Sequence, residues 1–208
     1  MSVRPVAIPA GTERRPQGIP TPLFGMVLFI ASEVMFFGGF FGAYFDIRAG
    51  QKVWPPLPLH PLEYWLPWNH VSPLHGIATI LTITLVSSSF TMNAGLAAIK
   101  RGDRRGLIRW LKVTLVLGVA FLSMQIYDYA HIGFGLRDGI FATLFFTMTG
   151  FHFAHVLGGA LFLYLIMLQA TKGGFSSEDH VGVEAATIYW HFVDIVWIGL
   201  FSTYYLLR

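Results

Sequence analysis

There is no cysteine among the 208 residues. Disulfides, thiolate metal sites, thiol catalysis and iron–sulfur clusters are therefore excluded for this chain. Charge is also scarce. Asp, Glu, Lys and Arg make up 12% of the sequence, about half the share of a soluble domain. No internal repeat is present. The opening stretch, "MSVRPVAIPAGTERRPQGIPTP", has no apolar core ending in a cleavage site, so it does not read as a secretory signal. It reads as an extended tail over residues 1–22, halted by Pro20 and Pro22 before the first helix.

What the chain does have is hydrophobic length. Hydrophobic residues make up 54%, and 19 residues are Phe. A bilayer core about 30 Å thick needs about 20 apolar residues per spanning helix. The qualifying stretches are Leu23–Arg48, Ser72–Ile99, Leu107–Ala130, Gly139–Gln169 and Val183–Leu207. They are too long for barrel strands and do not alternate. The predicted fold is all-α: a polytopic bundle of five transmembrane helices over residues 23–208, without a soluble domain. The fourth stretch exceeds a span and should tilt or project past the headgroups.

Basic residues set an expected orientation. Ten lie on the side of the tail: Arg4, Arg14, Arg15, Lys100, Arg101, Arg104, Arg105, Arg109, Lys112 and Lys172. Arg48, Lys52, Arg137 and Arg208 fall on the other side. The positive-inside rule then predicts a cytoplasmic N-terminus and an external C-terminus. In this setting the cluster from Lys100 to Lys112 is a topology anchor or an anionic-lipid contact, and not a nucleic-acid patch. The one long connection, "QKVWPPLPLHPLEYWLPWNHVSP", contains six prolines, which forbid a helix through most of it. Its Trp and Tyr residues suit the headgroup level, along the outer surface or against a neighbouring subunit. The other connections are short and predict antiparallel neighbours. Small residues at spacing four, Gly38 and Gly42, then Gly150, Ala154 and Gly158, mark faces where helices could approach closely.

Glu33 sits in "LFIASEVMFFGGFF", ten residues beyond Leu23, or about 15 Å at 1.5 Å per residue. An ionised carboxylate near the midplane costs several kcal/mol, on the order of 3 for the analogous Asp. A protonated, hydrogen-bonded carboxyl is the form expected there. Four partners are expected at similar depth: His152 and His155 in "TGFHFAHVLGG", and His191 and Asp194 in "YWHFVDIVW". Together with Glu33 they predict one buried polar belt that locks the bundle. His180 and Glu184 lie at the entrance of the last span and suit helix-end or lipid-headgroup contacts; Asp128 lies near the outer surface. Two sharper readings compete. One is a stand-alone metalloenzyme using Glu33, His152, His155 and Asp194, but the Glu-x-x-His pairs of carboxylate di-metal bundles are missing. The other is a proton channel, but below Glu33 the first helix offers only Ser32 as a relay.

The stretches "GMVLFIASEVMFFGGFFGAYF", "WPPLPLHPLE", "GFHFAHVLGG", "HVGVEA" and "YWHFVDIVWI", in this order, resemble subunit III of haem–copper cytochrome c oxidases over nearly all of the chain after the tail. The resemblance implies a non-catalytic membrane subunit of an aa3-type oxidase of the aerobic respiratory chain. Haem and copper would reside in partner subunits, with none in this chain. It implies subunits I and II as partners, bound phospholipid, and a role in stabilising subunit I and supporting proton uptake or oxygen access. It implies a multi-pass protein of the bacterial inner membrane that can join a respiratory supercomplex. The family's carbodiimide-reactive membrane glutamate falls on Glu33. His152 matches the histidine near that glutamate, and His180 and Glu184 match the stretch leading into the last helix. The long form of the family has seven helices; the two missing here are the N-terminal pair, which forms one wall of a lipid cleft.

Overall fold

The computed structural model describes residues 18–54 and 73–207. Five helices follow one another: α1 (Thr21–Ala49), α2 (Pro73–Lys100), α3 (Arg104–His131), α4 (Ile140–Thr171) and α5 (Val181–Phe201), the last ending in a π-helical turn over Ser202–Leu206. All five are long and apolar enough to cross a membrane, and no strand occurs among the described residues. The predicted all-α bundle is therefore observed, with boundaries shifted by a few residues. Helix α1 begins at Thr21, so Pro22 lies inside its first turn and Pro20 caps it. Proline is tolerated there because the first amides of a helix have no intrahelical acceptor. Most of the tail, and residues 55–72 of the long connection, lie outside the described residues.

Helices α2, α3, α4 and α5 pack in sequence order, and α5 closes back onto α2. The three short connections do join neighbouring helices, as their length requires. Helix α1 has no extensive contact with α2. It lies on α5, with a slight touch on α4, because the long connection releases it from its sequence neighbour. The turn between α2 and α3 shows why a tight hairpin forms. Gly102 takes φ +79°, a conformation other residues rarely adopt. Asp103 then caps α3 by accepting a hydrogen bond from the Gly106 amide at 2.8 Å.

The core centres on α5. Trp190 is fully buried, with its ring against Gly118 of α3 and Gly159 of α4; its indole N–H donates to Ser88 Oγ on α2 at 2.8 Å. Two turns further along α5, Trp197 donates to Thr82 Oγ1 at 3.0 Å, and beside Trp190, Tyr189 donates to the carbonyl of His155 at 3.0 Å. Lipid tails are as apolar as leucine, so helices in a membrane are held by such close packing and interhelical hydrogen bonds. The expected glycine faces are not the ones used. A Cβ on Gly38, Gly42 or Gly150 would meet nothing within 4 Å. The closest approaches to the α5 rings are at Gly118 and Gly159, and Gly199 of α5 lies close against Phe41 of α1.

Helix α1 buries only Phe37 and Tyr44. At its far end Tyr44 donates to the carbonyl of Thr203 at 3.3 Å and accepts from the Trp54 indole at 2.9 Å. Arg48 donates to the carbonyl of Leu207 at 3.0 Å. These contacts fasten the end of α1 to the end of the chain.

Candidate functional site

The polar side chains at lipid depth fall into separate groups, where a single belt was expected. The first joins α1 to α4. His155 Nε2 lies 3.0 Å from Glu33 Oε2, and its Nδ1 lies 2.7 Å from the carbonyl oxygen of Phe151. A carbonyl only accepts, so Nδ1 carries a proton and donates it. Nε2 then either holds a second proton facing a carboxylate, or presents a lone pair to a protonated carboxyl. A neutral imidazole facing an ionised Glu33 would set lone pair against lone pair. Either way the two side chains satisfy each other across α1 and α4. This is how the bundle accommodates a carboxyl that lipid cannot solvate. Phe37 packs edge-on against the His155 ring at 5.1 Å between centroids.

His152, three residues earlier, does not join this pair. It turns into the core between Trp197 and Phe121, with ring centroids 5.1 and 5.8 Å away. Its Nε2 lies 3.1 Å from the carbonyl of Val193, to which it donates. Its Nδ1 has no hydrogen-bond partner among the described residues. His152 thus secures α4 to α5.

The third group joins α5 to α2. Ser89 Oγ lies 2.8 Å from His191 Nδ1 and also hydrogen-bonds Asp194 Oδ2. His191 Nε2 lies 3.0 Å from Asn93 Oδ1. His191 and Asp194 are thus linked through Ser89 and do not bond each other directly. Asp194 Oδ1 is buried without a partner among the described residues. The sequence reading missed Ser89 and Asn93. Their signal was present in "VSSSFTMNAG", a run of polar residues at hydrocarbon depth in the second span.

At the tail-side ends of the helices, Glu184 accepts from Lys100 Nζ at 2.8 Å, and His180 Nε2 lies 3.4 Å from the same carboxylate oxygen. His180 occupies the N-cap position of α5, and Glu184 its first turn. Carboxylates are favoured there by the helix dipole. Asp128, expected near the outer surface, is near the far end of α3 but buried, and accepts from Gln125 Nε2 at 3.4 Å. Among the described residues no group of three or more His, Asp and Glu side chains could hold a metal ion. The residues singled out for a metal centre are dispersed over three places: Glu33 with His155, His152 on the Val193 carbonyl, and Asp194 on Ser89.

This arrangement is found in a chain with identifiable relatives. The family described as cytochrome c oxidase subunit III matches residues 17–207. The protein named cytochrome c oxidase subunit 3 from Synechocystis sp. is 42% identical over 186 residues, spanning 89% of this chain and 75% of the relative. The protein of the same name from Thermostichus vulcanus is 39% identical over 186 residues, spanning 89% of this chain and 87% of the relative. That from Corynebacterium diphtheriae is 38% identical over 190 residues, spanning 88% and 87%.

Proposed function

The chain belongs to the cytochrome c oxidase subunit III family, and from that premise we propose that it is a non-catalytic scaffold within its oxidase. It is a subunit III of a haem–copper oxidase and a multi-pass membrane protein. The proposal adds that it carries no redox centre of its own, that haem and copper sit in partner subunits I and II, and that its surfaces hold phospholipid and steady subunit I. It would sit in a bacterial inner membrane, tail side in the cytoplasm, and support proton uptake or oxygen access.

The observation that carries this reading is the mutual pairing of the polar groups at lipid depth. Glu33 with His155, and Asp194 with Ser89 and His191, link one helix to another. Side chains so engaged serve the bundle's geometry and do not form an open ligand set. The metalloenzyme and proton-channel readings are not favoured by the family match.

The test uses the purified oxidase. Glu33→Ala is expected to leave assembly and the initial turnover rate near wild type, while activity decays sooner during sustained turnover. Metal analysis of the separated chain should give substoichiometric iron, copper and zinc. Immediate loss of all oxidase activity, or a stoichiometric metal in the isolated chain, would overturn the scaffold reading.

A further inference from the structure

On the tail-side end of the bundle a cavity of about 520 Å³ opens between the α2–α3 turn and the connection from α4 to α5. Its floor is apolar, with Ile99 fully buried and Phe175 nearly so. Its walls carry Arg104 and Arg105 from the start of α3, and Ser176 and Ser177 from the connection. Arg104 reaches from one wall to the other. A Cβ on Gly173 would stand 2.8 Å from its Nη1. Gly173 takes φ +86°, a conformation that suits glycine. The connection thus leaves room for the guanidinium to lie on its backbone.

Neither arginine has an acid within ion-pair distance among the described residues. The one acid lining the cavity, Asp103, is engaged elsewhere. One of its oxygens accepts from the Gly106 amide, and the other lies 3.8 Å from Arg109. Asp103 thereby already fills the N-terminus of α3, so the feature left to bind an anion is the pair of side chains and not the helix end. Glu178 and Asp179 follow on the connection, with their amides donating to Ser176 Oγ, and neither lines the cavity. A guanidinium has five N–H donors and no acceptor. Its planar fork matches the oxygens of a phosphate, with a hydroxyl such as that of Ser177 adding a donor.

A lipid headgroup and a phosphorylated solute offer the same chemical group, and placement separates them. Helices α2, α3, α4 and α5 close into a ring. The α2–α3 turn and the α4–α5 connection cross the end of that ring at opposite edges. A cavity bounded by both lies over the end of the ring, whereas lipid lies around its circumference. We propose that this cavity binds a phosphate-bearing solute of the aqueous phase on Arg104, Arg105 and Ser177, and that the ligand clasps the α2–α3 turn to the α4–α5 connection. The volume suits a small organic phosphate better than a bare ion. The site is formed by this chain alone and goes beyond the scaffold reading.

The probe is inorganic pyrophosphate, titrated calorimetrically into the purified oxidase in phosphate-free detergent buffer. The wild type is compared with a double variant carrying Arg104→Gln and Arg105→Gln. A control, Lys112→Gln, removes an exposed charge of α3 that lies outside the cavity. The wild type is expected to bind pyrophosphate, and the double variant to bind it at least about tenfold more weakly, the loss of one or two charge-assisted hydrogen bonds. Lys112→Gln should change binding by less than about twofold. Arg104→Lys keeps the charge that orients the chain and loses only the planar fork; it should weaken binding by about threefold, and it tests the site even where the double variant fails to assemble. Phospholipid retained by the complex, counted by mass spectrometry, should be the same in wild type and in each variant. No binding to the wild type, binding unchanged by Arg104→Lys and by the double variant, or a phospholipid lost with the arginines would each overturn the proposal.

Discussion

At the scale of single residues, Glu33 shows what depth alone decides. The count from the start of the first span was enough to require a partner for its carboxyl. It was not enough to choose between His152 and His155. Successive residues turn about 100°, so these two project roughly 60° apart. In a soluble helix the polar face would reveal which points where. In a membrane span the helix is apolar all round, and its rotation is hidden in the sequence. The structure turns His155 to Glu33 and His152 to the carbonyl of Val193. A prediction follows from the hydrogen bond between Glu33 and His155. Glu33→Gln can place an amide N–H where the carboxyl stood and donate to a neutral His155. Glu33→Ala leaves Nε2 with nothing. Thermal unfolding of the isolated chain in detergent should show a loss of about 1 kcal/mol for Ala and a smaller loss for Gln. Equal losses for both would show that the hydrogen bond contributes nothing.

At the scale of elements, α5 organises the bundle and α1 is an attachment to it. Element existence was legible from hydrophobic length, and the three short connections correctly paired α2 with α3, α3 with α4 and α4 with α5. The packing faces were not legible, for the rotational reason just given. The spacing of Gly150, Ala154 and Gly158 suggested one ridge, yet the ridge in use lies one residue away. A Cβ on Gly159 would stand 2.8 Å from Tyr189 Cε1 and 3.0 Å from Trp190 Cζ3. Both rings belong to the packed interior face of α5 and cannot move aside cheaply. On Gly158 the nearest atom would be the Tyr189 hydroxyl oxygen at 3.7 Å, an ordinary contact. Gly159→Ala is therefore expected to destabilise the chain by roughly 1–3 kcal/mol, as overpacking does, with Gly158→Ala close to neutral. Unfolding in detergent, run on both variants, measures the difference. Comparable effects at the two positions would mean that α4 is rotated from the arrangement described.

At the scale of the whole molecule, the distribution of charge and the parity of the spans bear on one question, the direction in which the chain crosses the membrane. Five crossings place the start of α1 and the end of α5 on opposite faces. The ends of α2, α3, α4 and α5 that share a face with the start of α1 hold Lys100, Arg101, Arg104, Arg105, Arg109, Lys112 and Lys172. Lys100 is paired with Glu184, and Arg109 lies 3.8 Å from Asp103. The orientation rule counts Lys and Arg near the span ends, and nearby acids weaken it little. The far face carries Arg48, Lys52, Arg137 and Arg208, and Arg48 is engaged with the carbonyl of Leu207. With so uneven a division, the face bearing the turn between α2 and α3 should be cytoplasmic. A reporter active only outside the cytoplasm, fused after Arg208, is expected to be active. The same reporter inserted in the turn at Gly102 is expected to be silent. Activity at Gly102 with silence after Arg208 would invert the protein. It would also move the Glu184–Lys100 contact to the outer headgroups.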